Sequence, residues 1–279
     1  MGVKTQYMEE WRIQLRVNTD KILVCFAWCH DEDLRSFKMN PHFLAVDTTF
    51  GLNRQRRPLL LAVGTDGNQK SFTAFQAYMP SKQAKAYRWI FSTAMLSLLG
   101  KESLKRTSMV CTDDEDAMIS SLRCEMSRLG VLPNAKHRLD KYHIFSGPFS
   151  AVNSDPRGIK QVIQAWISSF FDDVENENEF RYSYNKLLDY ISHIKEDIQQ
   201  VALVQIEKIL SDVYRNIAYI ANYIFVNQTH FDFKGDSIVE SMNSNLKTGA
   251  IRIDGKLSLD EAASRHISML ENKVQNRNW

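Results

Sequence analysis

FLAVDTTFGLN, residues 43–53, is the stretch that decides the fold of this 279-residue chain. Its first four residues are apolar and predict a strand that is buried on both faces. Asp47 ends this run, and an ionised carboxylate in such a place must be paired or bound to a metal. Because aspartates at strand ends also form turns, Asp47 taken alone fits either a functional or a structural role.

A second aspartate follows an apolar run in the same way. Residues 108–112, SMVCT, predict a short strand, and Asp113 comes directly after it. Asp113 opens an acidic turn that continues with Asp114, Glu115 and Asp116. Taken alone it also fits a turn role, but two such aspartates on neighbouring strands could share a divalent cation.

The spacing of apolar residues predicts the elements around these two aspartates. They are, in chain order, the Asp47 strand, strands at 58–64 and 71–78 joined by a hairpin turn at 65–68, a helix at about 83–99, the Asp113 strand, a helix at about 115–129 and a short strand at 136–139. Gly100 is expected to end the first helix. The predicted order is therefore βββαβαβ.

Glu240 is the third candidate, and its segment allows two interpretations. Ser237 and Glu240 fit the S-x-x-E capping box, in which the glutamate folds back onto the start of a helix. Glu240 also shares a polar helical face with Asn243 and Lys247, opposite an apolar stripe. Such a face beside two aspartates can line a site.

These motifs occur together in an order that resembles the transposase domain of Mutator-like elements (MULE), over about residues 40–250. The matching segments are VDTTFGLN, PLLLAVGTDGN, the helix containing Trp89, VCTDDEDAM, LDKYHIF and SIVESMNSNLK. The resemblance implies an α/β fold of the ribonuclease H-like type found in DDE transposases. This fold is a mixed sheet flanked by helices, with an all-α insertion before the last catalytic helix.

The resemblance also implies which residues form the site. Asp47, Asp113 and Glu240 would be the catalytic acids and the ligands of Mg²⁺ or Mn²⁺. Asp140 and His143 match the [C/D]-x-x-H signature of this group and would be accessory residues. Oxygen ligands suit Mg²⁺, and two such ions can activate an oxygen nucleophile and stabilise the leaving oxygen.

The implied function is DNA transposition, in which a DDE-type transposase cleaves DNA at transposon ends and joins the strands to a target. The alternative is a domesticated protein, derived from such an element, that binds DNA or regulates transcription without catalysis. The presence of all three acids favours the enzyme.

The expected DNA contacts are basic and polar residues near the acids. Arg54, Arg56 and Arg57 follow the Asp47 strand, where they could hold phosphates. Asn243 and Lys247 lie on the Glu240 face. An ordinary exposed loop could hold the same arginines, and a net charge of +2 is too small to show nucleic-acid binding by itself.

The predicted organisation has four parts: a segment preceding the core at 1–40, the first part of the core at 41–150, an α-helical insertion at 151–230, and the rest of the core with the glutamate helix at 231–279. Cys25, Cys29 and His30 resemble zinc ligands, but no second Cys/His pair lies nearby. Residues 21–28 are better interpreted as an apolar strand.

The remaining expectations concern partners and location. DNA is the expected partner, a homo-oligomer is compatible with this class, and no apolar run predicts a membrane span. Four cysteines without regular spacing favour a reducing compartment, so we expect an intracellular protein, nuclear if the source is eukaryotic. Only 46 residues precede Asp47, whereas Mutator-like transposases usually carry a zinc-containing DNA-binding region there. We therefore expect a catalytic fragment or a degenerate copy.

Overall fold

The computed structural model describes residues 11–140, 158–198, 200–225, 246–247 and 255–275. The chain divides into two compact units. The sheet unit comprises residues 1–136 and 229–279, and the helical unit comprises residues 137–228. The predicted four-part boundaries stay a prediction.

The strands are β1 (Trp11–Val17), β2 (Leu23–His30), β3 (Phe43–Thr49), β4 (Leu59–Thr65), β5 (Ser71–Tyr78), β6 (Met109–Thr112) and β7 (Lys136–Leu139). They form one sheet in the order β1-β2-β5-β4-β3-β6-β7. β3 is parallel to β6 and antiparallel to β4, so the sheet is mixed. The α/β class is thus confirmed, and the elements from β3 to β7 follow the predicted order.

The helices of the sheet unit are α1 (Asp31–Met39), α2 (Ala84–Trp89), α3 (Met95–Leu99), α4 (Lys101–Leu104), α5 (Asp116–Leu129) and α11 (Leu259–Gln275). A π-helical turn, Ile90–Ala94, joins α2 to α3, so the helix predicted at 83–99 contains one irregular turn. It ends at Gly100, whose φ of 79° is readily accessible only to glycine.

The central strands are buried because they are apolar on both sides. Every residue of β3 and β4 is buried, as a strand covered on both faces requires. Their side chains on one face, including Val46 and Leu60, join a core that also holds Phe91 and Leu122.

The turn between β4 and β5 is formed by Asp66. Its side-chain Oδ1 accepts hydrogen bonds from the backbone N–H groups of Asn68 at 2.9 Å and Lys70 at 2.8 Å. This geometry explains why the Thr65 to Asn68 segment connects two antiparallel strands.

The segment before the Asp47 strand also belongs to the sheet. β1 pairs with β2, and β2 pairs with β5 through Phe26, Ala27 and Trp28. His266 of α11 makes an edge-to-face contact with the indole of Trp28, and the two ring centroids are 5.9 Å apart. The N-terminal strands therefore extend the sheet by two positions.

The helical unit contains α6 (Ile159–Asp172), α7 (Glu177–Ile194), α8 (Gln200–Arg215), α9 (Ile217–Ile220) and α10 (Asn222–Phe225). Aromatic contacts hold these helices together, such as Phe170 against Phe180 with ring centroids 5.0 Å apart. Trp166 donates from Nε1 to Ser183 at 3.0 Å. None of the helices in the described ranges is both long enough and apolar enough to cross a membrane.

Candidate active site

The structure brings Asp47 and Asp113 to the same edge of the sheet. The parallel register of β3 and β6 ends with Val46 opposite Thr112. Asp47 follows Val46 within β3, and Asp113 is the first residue after β6. Because neighbouring strands lie about 4.8 Å apart, the two aspartates begin as neighbours at the carboxyl ends of their strands.

Asp47 is nearly enclosed, whereas Asp113 is half-buried. Only 7% of Asp47 is exposed to solvent, and its carboxylate accepts a hydrogen bond from the backbone N–H of Thr48. In the strand pairing Asp47 lies opposite Leu61, which lies opposite Gln76. The apolar run that predicted the strand therefore places a buried carboxylate directly beside the apolar Leu61.

A polar network next to the two aspartates was not predicted. Its centre is Glu115, whose carboxylate accepts from Lys82 Nζ at 2.6 Å and from the Tyr87 hydroxyl at 2.7 Å. Thr48, which follows Asp47, donates to the same carboxylate at 3.4 Å. The network therefore connects the end of β3 to the turn that follows β6.

The network is fixed by burial and charge. Burial raises the pKa of Tyr87 well above its usual value, so its hydroxyl stays protonated and can donate. Lys82 also lies 4.9 Å from the ring centroid of Phe50, an exposed aromatic residue directly after β3. Glu115 is thus engaged by three side chains.

The three arginines after β3 differ in their surroundings. Arg54 and Arg56 are exposed, and the backbone N–H of Arg54 donates to Leu257 O at 2.7 Å. Arg57 is half-buried and donates from its guanidinium to Val24 O at 2.8 Å. Asn53 closes the loop through hydrogen bonds with the backbone of Arg57, so Arg57 has a structural contact in addition to any role with phosphates.

The other predicted site residues are only partly described. Asp140 is 1% exposed. Leu246 is buried and Lys247 is exposed, which agrees with an apolar stripe and a polar face in that segment. Glu240, Asn243 and His143 lie outside the described residues.

The described residues include no group of three His, Cys, Asp or Glu side chains that could hold a metal ion. Cys25 and Cys29 are buried on β2, and burial raises the pKa of Cys29 to about 12. His30 instead accepts a hydrogen bond from the backbone N–H of Glu32 at 3.1 Å and caps α1. These side chains pack the sheet and start a helix.

The geometry defines the class of protein: a mixed α/β domain with two adjacent aspartates at one edge of its sheet. Residues 43–147 match the family model of the MULE transposase domain. Over these residues the match confirms the resemblance predicted from the sequence. The matched segment includes Asp47, Asp113, Asp140 and His143, and it ends before Glu240. No curated protein matches the chain.

Proposed function

We propose that the chain is the catalytic part of a DDE-type transposase with a ribonuclease H-like core. In this proposal it cleaves DNA at transposon ends and transfers the strands to a target. The observation that carries the proposal is the position of Asp47 and Asp113, one residue beyond the paired ends of parallel strands β3 and β6. The family match, which covers both aspartates, supports it.

The donor set fits magnesium or manganese. Mg²⁺ is usually held by one or two carboxylates together with waters and substrate phosphate, and Asp47 and Asp113 would supply these carboxylates. Glu240 is proposed as the third ligand. When bound, two such ions would supply an activated oxygen nucleophile and a stabilised leaving oxygen.

The residues around the acids have a supporting role in this proposal. Glu115 is bound by Lys82, Tyr87 and Thr48, so it is held away from the role of ligand. Since Thr48 follows Asp47 and Glu115 lies two residues after Asp113, the network fixes the spacing of the two strand ends. Lys82 also offsets one negative charge beside the aspartates.

The direct experiment compares DNA nicking and strand joining by the wild type, Asp47→Asn and Asp113→Asn in Mg²⁺ or Mn²⁺. The amide keeps the shape of the side chain but removes the charge that holds the cation. We expect activity to fall by about two orders of magnitude or more in both variants. The free energy of unfolding should change by no more than about 1 kcal/mol.

Asp116→Asn is the matched control because Asp116 is an exposed acid of the same turn, at the start of α5. It should retain wild-type activity. If Asp47→Asn and Asp113→Asn are as active as the wild type, the site assignment is wrong. DNA binding without any metal-dependent cleavage by the wild type would favour the domesticated, non-catalytic protein.

A further inference from the structure

A cleft of about 480 Å³ lies between the end of β1 and the connection from β5 to α2. Its polar walls are formed by Arg16, Asn18, Thr19, Ser81, Gln83 and Lys85. No acidic residue lines it. The cleft is thus an open, positively charged feature of the sheet unit.

The cleft is located at the sheet edge that carries the two aspartates. Thr49 at the end of β3 pairs with Leu59, and Leu59 pairs with Tyr78 at the end of β5. Tyr78 pairs with Phe26, and Phe26 pairs with Leu15, directly before Arg16. These pairings show that the cleft lies at the same edge of the sheet as Asp47 and Asp113.

Two cations, Arg16 and Lys85, line this cleft, and Arg57 lies beside it. Arg16 donates from its guanidinium to Lys85 O at 3.2 Å, and Arg57 donates to the carbonyl of Val24, which also lines the cleft. Burial raises the pKa of the Cys25 thiol while the charges of Arg16 and Arg57 oppose that shift, so both guanidinium groups lie near one sulfur. Lys85 is exposed on the opposite wall.

These cations lack carboxylate partners within the described part of the chain. No ion pair there involves Arg16, Arg57 or Lys85, in contrast to Lys82, which is paired with Glu115. Residues 67–101, which include Lys85, contain no aspartate or glutamate, so no acid close to Lys85 in the sequence is available to pair with it. Cations that are held by backbone carbonyls and left uncompensated can bind an external anion.

We infer that this cleft binds the phosphate backbone of duplex DNA beside the cleavage site. The inference rests on the proposed function for the identity of the DNA. β1 is four strand positions away from β3. Arg16 lies three residues beyond the residue of β1 that is in line with Asp47. Arg16 and Asp47 are therefore separated by about 20 Å. At about 3.4 Å per nucleotide, the contacted phosphates lie about six nucleotides from the bond that is cut.

The test is DNA binding by the full chain, measured by fluorescence anisotropy with a labelled duplex of about 30 base pairs, close to three helical turns. Chelator is present so that cleavage does not interfere. The double variant Arg16→Gln/Lys85→Gln should weaken binding about tenfold and reduce the slope of log Kd against log salt by about 2. Gln83→Lys should tighten binding and increase that slope by about 1.

The matched control is Lys101→Gln/Arg106→Gln. Arg106 also donates to a backbone carbonyl, Lys38 O at 2.9 Å, but it precedes β6 and so lies at the opposite edge of the sheet. The control should bind within about twofold of the wild type. Gln83→Lys adds a charge at an exposed position, so the inference can be tested even if the loss of Arg16 disturbs the fold.

Binding by the cleft variants that equals wild-type binding would overturn the inference, whether or not the protein cleaves DNA. Wild type that binds no DNA would overturn it as well. If binding depends on the cleft but no metal-dependent cleavage occurs, the inference stands and the proposed transposase activity fails. The two proposals can therefore fail separately.

Discussion

The central strands of the sheet unit and helix α7 of the helical unit bury their residues very differently. Every residue of β3 and β4 is buried, whereas the 18-residue helix α7 buries only Phe180, Leu187 and Ile191. A single aspartate in a buried strand is therefore a strong signal, while polar residues on α7 are ordinary surface. The candidate site is located where polar groups are costly to bury.

Two ion pairs, one from each unit, show the same contrast. The side chains of Lys82 and Glu115 in the sheet unit are 27% and 20% exposed, but those of Arg181 and Glu177 on α7 are each 59% exposed. Lys82 and Glu115 should therefore depend on each other more strongly than Arg181 and Glu177, because water replaces a lost partner less well at a half-buried site.

The largest expected effect concerns core packing. Phe75→Ala in β5 removes a fully buried ring from the core and should lower the free energy of unfolding by about 3–5 kcal/mol. Tyr182→Ala on α7 removes a ring that is 62% exposed and should change it by about 0.5 kcal/mol or less. Denaturant titration, with hydrogen exchange of β4 to isolate the sheet unit, measures both. Equal effects would break the contrast between the units.

A second prediction concerns pH and His266 on α11. Complete burial lowers the pKa of His266 from 6.5 to about 3, and its Nδ1 has no hydrogen-bond partner among the described residues. At a pH between these two pKa values, His266 carries a proton in the unfolded chain but not in the folded sheet unit. Stability is therefore fully present above pH 6.5 and falls as the pH is lowered, by about 2 kcal/mol at pH 5.

Hydrogen exchange of the sheet unit at pH 7 and pH 5, corrected for intrinsic rates, measures this loss. The control is His193, an exposed residue of α7. His266→Gln should remove most of the pH dependence, whereas His193→Gln should leave it unchanged. A pH dependence that survives in His266→Gln would assign the effect to other groups.

The smallest expected effects come from the two ion pairs. Lys82→Met leaves the Glu115 carboxylate without its cation and should cost about 1–2 kcal/mol. Arg181→Met should cost about 0.5 kcal/mol or less, because exposed pairs contribute little. Thermal unfolding of each variant at low and high salt provides the comparison. A larger loss of stability in Arg181→Met than in Lys82→Met would show that solvent exposure does not determine how much each pair contributes.

Local sequence patterns predicted the backbone of the site but not the side chains around it. Asp47 and Asp113 could be found because each ends an apolar run. Glu115 could not, since its partners Lys82 and Tyr87 are 33 and 28 residues away and meet it only after α2 packs on α5. The acidic turn after Asp113 was the one available signal.

The N-terminal strand shows a second limit. Residues 11–17, WRIQLRV, alternate apolar and polar residues, which is typical of a strand with one apolar face. This pattern could have predicted β1. The pairing of β2 with β5 depends on contacts about 50 residues apart, so the position of Arg16 at the acid edge required the structure.

The central claim is that Asp47 and Asp113 hold a common cation. Replacing Mg²⁺ by Fe²⁺ in the presence of ascorbate and peroxide generates radicals at the bound ion, which cut the nearby backbone. We predict cuts close to residues 47 and 113, together with a cut near Glu240, all lost in Asp47→Asn and retained in Asp116→Asn. Cuts at other positions, or cuts that persist unchanged in Asp47→Asn, would contradict the claim.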